Sequence, residues 1–355
     1  MQLAPFKVDI PEPALADLRE RIRTTRWPPA SPEPGWAQGT ELEYLKDLLA
    51  YWADGFDWRE QERRLNEHEH FIADGIHFVH VKRGGTPLIL THGWPSTFVE
   101  HLQLVPYLDG FDLVIPSLPG YAFSERPPRN TVRDTARRWH ALMRGLGYER
   151  YGAQGGDFGA AVTAYMALDD PEPLIGIHLH QIDTKPYVDS PATDAEREYL
   201  AAVAAWDAVE RGYSSIQSTK PQTVAYGLND SPAGLAAYVV EKWRSWSHDL
   251  ERVDRDVLLT NLTIFWATQT IATSMRDYYD QRWHGHTMAR TEVPTAVALF
   301  ANELVSEGTP PREWAERVFN IVRWTVMPRG GHFAPAEEPE LLARDITAFF
   351  TPLRV

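Results

Sequence analysis

Apolar side chains fall at helical spacing near the start of the chain. Leu15, Leu18 and Ile22 share one face, and Leu42, Leu45, Leu48, Leu49 and Trp52 share another. Between them Trp27-Pro28-Pro29 and the stretch from Pro32 to Gly35 break any helix. This beginning reads as a mostly helical arm whose apolar faces need a body to cover. From His68 the period changes to that of strands. Two alternating runs meet at Asp74-Gly75, a pair that favours a tight hairpin turn. Pro87 to Thr91 and Phe111 to Pro116 are short continuous apolar runs, as expected of strands buried on both faces of a parallel sheet. Each feeds a loop, His92-Gly93-Trp94-Pro95 and Ser117-Leu118-Pro119-Gly120. A helix presenting Trp139, Leu142, Met143 and Leu146 follows, then a short strand near Tyr151, an alanine-rich helix over 160–168 and a strand from Leu174 to Leu179.

Strand and helix alternating in this way imply a parallel sheet joined by right-handed crossovers. The alternation lapses over 184–288, which turn helical and aromatic, with Trp206, Tyr213, Trp243, Trp246, Trp266, Tyr278, Tyr279 and Trp283. We expect an inserted cap there. Strand-like runs return at Thr295 to Phe300 and Asn320 to Val326, and a helix from Glu338 to Phe350 closes the pattern. The expected organisation is an arm over 1–67 packed on the core, a first core segment over 68–183, the cap over 184–288, and a second core segment over 289–355. The fold class is α/β, a mostly parallel central sheet with helices on both faces.

Composition narrows the chemistry more than the fold. At 355 residues the chain can bury a large core without staples. It has no cysteine, which removes disulfides, thiolate nucleophiles and cysteine-ligated metal sites. A formal charge of −14 with no basic stripe argues against nucleic acid. No run of about 18 apolar residues is long enough to span a bilayer, and Met1-Gln2-Leu3-Ala4-Pro5 opens no secretory signal. The expectation is a cytoplasmic chain without a membrane anchor, for which a homodimer is the commonest assembly.

The candidate chemistry starts at Gly155-Gly156-Asp157-Phe158-Gly159, between a strand and a helix. Small residues around a central side chain permit the sharp turn of a nucleophile elbow. Alone, Asp157 reads equally as a helix cap. Its neighbours decide otherwise. Arg329-Gly330-Gly331-His332-Phe333 follows the last strand, where flexible glycines let a loop place an imidazole over the sheet edge. Glu303 and Glu307 both stand where the acid partner of His332 belongs. His92, Gly93, Trp94 and Pro95 lie where a loop offers N–H groups to an oxyanion, with the Phe158 N–H as a second donor. Nucleophile, acid and base in this order on these elements match an α/β-hydrolase.

Aspartate in place of serine changes the reaction. A carboxylate attacks an sp³ carbon and makes an ester whose carbonyl belongs to the enzyme. That points away from esterase and peptidase chemistry and requires a leaving group on carbon, an epoxide oxygen or a halide. An epoxide oxygen needs a proton, for which Tyr213 and the pair Tyr278-Tyr279 are the natural donors in the cap. A halide needs N–H donors, commonly an indole directly after the nucleophile, and Phe158 has none. A dehalogenase using the same triad remains the alternative. His68 with His70, His178 with His180, and His284 with His286 have the spacing of a strand face. The proposed chemistry nevertheless requires no metal and no cofactor.

With these motifs in hand the chain resembles an epoxide hydrolase of the microsomal type nearly end to end. The resemblance runs from Pro5-Phe6 to Trp27-Pro28 and through His92 to Pro95, Gly155 to Gly159, Gly212 to Lys220, Asn229-Asp230-Ser231-Pro232, Arg329 to Phe333 and Glu337-Glu338-Pro339. It implies an α/β-hydrolase fold with an inserted cap and the wrapping arm of that family, and small apolar epoxides with water as substrates. It further implies Asp157 as nucleophile, His332 as base with Glu303 as its partner, and Tyr213 and Tyr278 as proton donors. Trp94 and Phe158 would form the oxyanion hole, His92, Gly93 and Pro95 would line the pocket, and the Trp94–Pro95 bond would be cis.

Overall fold

The computed structural model describes residues 1–182, 191–286, 289–300 and 310–353. The arm opens with a strand the periodicity does not reveal, β1 (Ala4–Phe6), followed by helices α1 (Glu12–Arg23), α2 (Leu42–Asp54) and α3 (Trp58–Leu65). Three residues containing Pro5 carry no alternation signal. They form a strand because they pair antiparallel with β2 (His70–Ala73) at the sheet's edge, where a proline is tolerated. The apolar faces of α1 and α2 are buried as the spacing predicts, through Leu15, Leu18 and Ile22, then Leu45, Leu48, Leu49 and Trp52.

The hairpin from β2 to β3 (Ile76–Val81) turns at Asp74 and Gly75, whose φ of 48° and 76° are those of the tight turn the pair favours. Then come β4 (Thr86–Thr91), the short helix α4 (Phe98–Leu102), β5 (Phe111–Pro116), α5 (Val132–Gly145), β6 (Tyr151–Gly155), α6 (Phe158–Asp169) and β7 (Leu174–Leu179). α5 begins with a reciprocal cap, Thr131 accepting from the Asp134 N–H and Asp134 from the Thr131 N–H. The cap segment is all helical: α7 (Asp194–Glu210), α8 (Gly212–Gln217), α9 (Pro221–Asp230), α10 (Pro232–Trp246), α11 (Arg255–Thr268), α12 (Ile271–Ser274) and α13 (Arg276–His284). The chain returns through β8 (Pro294–Leu299), α14 (Arg312–Ala315), β9 (Asn320–Val326), α15 (Ala334–Glu337) and α16 (Pro339–Phe350). The expected boundaries at 184 and 288 fall outside the described residues.

Among the described residues nine strands make one sheet, ordered β1-β2-β3-β5-β4-β6-β7-β8-β9. The first three run antiparallel and β5 through β9 run parallel to β4, so β3 meets β5 antiparallel. β4, β5, β6 and β7 are covered on both faces, which explains their near-continuous apolar runs. β6 is the exception, a strand of two glycines and a glutamine. A Cβ at Gly152 would strike the Phe350 ring, so this strand is thin where α16 crosses it.

The winding reverses at β4: the chain goes to β5 on one side and afterwards to β6 on the other. The loops leaving the carboxyl ends of β4 and β6 therefore part at a topological switch point, where open α/β sheets form their ligand crevices. Over that point lies the cap, held partly by the arm. The Trp52 indole N–H donates to Thr263 Oγ1 (2.9 Å), Tyr51 OH to Asp256 (2.8 Å) and Thr40 OH to the Ala237 carbonyl (2.7 Å). Among the described residues no helix is long and apolar enough to cross a membrane.

Candidate active site

Asp157 sits at the turn from β6 into α6 with φ 52° and ψ −130°, a conformation that strains any residue with a Cβ. The glycines beside it have no room for a side chain. A Cβ at Gly155 would run into the Gly159 carbonyl, one at Gly156 into the His180 ring, and one at Gly159 into the Thr91 carbonyl. Across the gap, a Cβ at Gly93 would collide with Asp157 itself. Close approach of the two switch-point loops thus depends on glycine on both sides.

The carboxylate is held by main-chain donors. Asp157 Oδ1 accepts from the Trp94 N–H (2.8 Å) and the Phe158 N–H (2.7 Å). The Asp157 N–H donates to Gln181 Oε1 (2.6 Å), just past the end of β7. Asp157 Oδ2 lies 3.5 Å from His332 Nε2, too far for a firm hydrogen bond and close enough for a water to serve both. The two carboxylate oxygens are therefore distinguished: Oδ1 is engaged, and Oδ2 is the one available to an electrophile.

His332 is buried and its loop is gripped by the cap. The His332 N–H donates to the Trp246 carbonyl (2.8 Å), the imidazole lies edge-on to the Trp246 ring (5.0 Å), and Phe333 stacks flat on Trp243 (3.9 Å between centroids). Gly330, at φ 101°, lets the chain turn where a Cβ would meet the Phe300 ring. Glu303 and Glu307, the acids expected to partner His332, lie outside the described residues.

The Trp94–Pro95 bond is cis. Two cap side chains bind the Pro95 carbonyl, the Asn261 amide of α11 (3.0 Å) and the Trp243 indole N–H of α10 (3.3 Å). Gly93 borders a small pocket beside Asp157. His92 turns into the core, where its Nε2 accepts from the Leu118 N–H (3.1 Å) and its Nδ1 proton points at the Gly93 carbonyl (3.1 Å). Burial drives its pKa down to about 4, which keeps it neutral and makes it a brace for the loop.

The phenols converge above this carboxylate. Tyr213 lies flat on Trp94 (5.3 Å, 5°), while Tyr278 stands edge-on to Trp94 (5.7 Å), Phe158 (4.9 Å) and Tyr213 (5.7 Å). Each hydroxyl is coupled electrostatically to the other, and both lie within the field of Asp157. Burial, reinforced by that negative charge, raises both well above the ordinary phenol value, so both stay protonated and able to donate. Tyr279 faces outward at 38% exposure beside Trp283.

Sequence spacing alone does not disclose what orients Tyr278. Arg126, from the loop after β5, makes buried ion pairs with Asp277 (2.6 Å) and Asp280 (2.9 Å), and the Asn130 N–H donates to Asp280 (2.8 Å). Two carboxylates at i and i+3 on α13 thus fix the helix face that presents Tyr278. Lys242 is likewise legible only in three dimensions. Its ammonium lies 4.8 Å over the Tyr213 ring and pairs with Glu241 (2.6 Å).

The histidine pairs have other partners. His70 bonds His77 and the Leu65 carbonyl, His178 bonds Asp345, and His180 accepts from the Gln154 amide. His284 ends helix α13 and does not share a strand face with His286, because the helical pattern of the cap runs through it. Among the described residues no group of three or more His, Cys, Asp or Glu side chains could hold a metal ion.

Comparison with known proteins shows the family and the fold. The family description Epoxide hydrolase N terminus matches residues 3–101, and alpha/beta hydrolase fold matches residues 86–339. The chain is 35% identical to epoxide hydrolase 1 of Oryctolagus cuniculus, over 98% of this chain and 88% of that protein. It belongs to the epoxide hydrolase family. Among solved structures of that family, the juvenile hormone epoxide hydrolase of Bombyx mori superposes with a TM-score of 0.88 at 30% identity, covering 99% of this chain and 95% of that one. The epoxide hydrolase of Aspergillus niger gives a TM-score of 0.88 at 28% identity, covering 99% and 97%. The arm is thus a family element, and so is the α/β-hydrolase core beneath it.

Proposed function

We propose that the protein adds water to a small apolar epoxide, giving a vicinal diol through an ester on Asp157. The observation that carries this is the unequal treatment of the Asp157 oxygens beneath two buried phenols. Oδ2 attacks the epoxide carbon, the C–O bond of the strained ring breaks, and the departing oxygen takes a proton from Tyr213 or Tyr278. The ester carbonyl is then Cγ–Oδ1, already in contact with the Trp94 and Phe158 N–H groups. Water gives a proton to His332 Nε2 as its oxygen adds to Cγ, and the charge that develops on Oδ1 is met by donors that need not move. Collapse breaks the Cγ–Oδ2 bond, and the leaving oxygen takes the proton from His332 to complete the diol, whose new oxygen is the former Oδ2. The proton left on the new carboxyl group returns to the tyrosinate. Glu303 is the assigned partner of His332 in this sequence of steps.

Donors that are protonated phenols suit an alkoxide, which must be neutralised, better than a halide, which need not be. The aromatic lining from Trp94, Tyr213, Trp246 and Tyr278 suits an apolar substituent. A single turnover in ¹⁸O-labelled water tests the route. The diol should come out unlabelled and the Asp157 peptide should carry the label by mass spectrometry. Label in the first-turnover diol would mean direct attack by water and end the reading of Asp157 as nucleophile. Asp157→Ala should abolish turnover.

A further inference from the structure

The small pocket beside Asp157 contains a carboxyl group that the steps above do not use. Its walls include Gly93, Trp94, Ser96, Gly156, Asp157 and His332, and Glu100 of α4 lines it as well. Its capacity is of the order of one water molecule. Asp157 and His332 both line the pocket, so the carboxylate to be attacked and the imidazole that must take the proton border the same space. Glu100 is 6% exposed, Ser96 Oγ donates to its Oε2, and its Oε1 makes no hydrogen bond to the described residues.

Taking Asp157 as the ester-forming nucleophile, we infer that Glu100 is a positioning residue for the hydrolytic water, which its carboxylate holds by one O–H while His332 takes the other. The proton from the reacting O–H goes to His332 Nε2 and the oxygen's lone pair goes to Cγ of Asp157. Glu100 keeps its own charge throughout and orients the lone pair. Ser96 serves both protonation states, since its hydroxyl also reaches the Gly93 carbonyl (3.3 Å) when Glu100 is neutral.

The electrostatics give the arrangement a timing. Burial lifts Glu100 to about 7, with smaller upward pushes from Asp157 and Glu337, against the Ser96 donor and the His332 charge. Forming the ester neutralises Asp157 and removes one of those pushes. Glu100 therefore ionises more readily when the ester stands and the water must be held. His101 of α4 and His180, which also line the pocket, are kept neutral by burial, and the remaining elements packed on α4 add no nearby charge. β4 has none, Asp112 on β5 is bound by the Arg83, Gly84 and Gly85 N–H groups, and α11 spends Arg255 on Asp47 and Asp256 on Tyr51.

Rapid-quench single turnover with mass detection of the ester tests the assignment in Glu100→Gln. Ester formation should change less than about threefold, whereas ester hydrolysis should slow about 10- to 100-fold, the scale of a misplaced reactant, so that the ester accumulates. The acid limb of the hydrolysis rate against pH should lose one ionisation relative to the unmodified enzyme. Ser96→Ala provides a second arm should Glu100→Gln fail to fold. Without its donor Glu100 titrates higher, so the acid limb should move to higher pH. Hydrolysis at the unmodified rate and pH profile in Glu100→Gln, or an unmoved limb in Ser96→Ala, overturns the role of Glu100 and leaves the ester mechanism standing. If no ester forms even in His332→Gln, the reading of Asp157 fails, and Glu100 with it.

Discussion

Replacing Tyr213 and Tyr278 by phenylalanine, singly and together, isolates the two hydroxyls from the rings that carry them. The rings are structural: Tyr213 rests on Trp94 and Trp246, and Tyr278 on Phe158. Phenylalanine keeps those contacts, so the variants should fold with stabilities within about 1 kcal/mol of the parent, the scale of one neutral hydrogen bond. The kinetic effect should be larger. A hydrogen bond to a developing alkoxide is worth about 1.5–3 kcal/mol, or roughly 10- to 150-fold in the rate of ester formation. Because both hydroxyls are assigned to one departing oxygen, either single variant retains a donor. The double variant retains none, and ester formation should fall by about the 10²–10⁴-fold of general-acid catalysis, more than the two single effects multiplied. Quenching of the Trp94 and Trp246 fluorescence on rapid mixing with styrene oxide would report the step. Ester formation at the parental rate in the double variant would refute the assignment of the phenols.

Arg126→Met should lower stability by about 3–5 kcal/mol in chemical denaturation, since it strands Asp277 and Asp280 as unpaired buried carboxylates. It should also slow ester formation by releasing Tyr278, and an unchanged denaturation midpoint would contradict the clamp. Gly156→Ala forces a Cβ into the His180 ring and should cost about 1–3 kcal/mol together with activity, whereas Gly227→Ala, with nothing within 4 Å, should be neutral or mildly stabilising. Three buried imidazoles make stability fall with acidity: His80 and His92 are depressed to about 4 and His101 to about 3, chiefly by burial, from an unfolded value near 6.5. Below pH 6.5 the unfolded chain binds protons that the native one refuses. The urea midpoint should therefore drop steadily from pH 7 towards pH 4, and a flat midpoint would count against neutral buried histidines.

How far each feature can be read from the chain depends on how local its cause is. β5 and β7 are legible to the residue because burial on both faces imposes an apolar run with definite ends. β9, a half-exposed edge strand, is legible through its β-branched and aromatic residues. β1 is invisible, since Ala4–Phe6 becomes a strand only through its partner β2. Asp157 and His332 can be found because their loops need glycines at fixed places beside them. Tyr278 and Tyr279 cannot be separated by spacing, because neighbours on a helix differ only in direction, and direction is set by Arg126, about 150 residues away in sequence. Asn261 on Pro95, Gln181 on Asp157 and Glu100 beside Ser96 have the same origin. Each is an ordinary polar residue until the fold brings it to the switch point.

Trp94 meets the rest of the site along two independent routes. Its main-chain N–H donates to Asp157, the proposed nucleophile, and among substitutions only proline would delete that donor. Its ring alone bears Tyr213 on one face and receives the edge of Tyr278. One residue thereby meets both parts, Asp157 through its main chain and the two phenols through its ring. Changing its ring should therefore disturb Tyr213 and Tyr278 while the hydrogen bond to Asp157 stays in place.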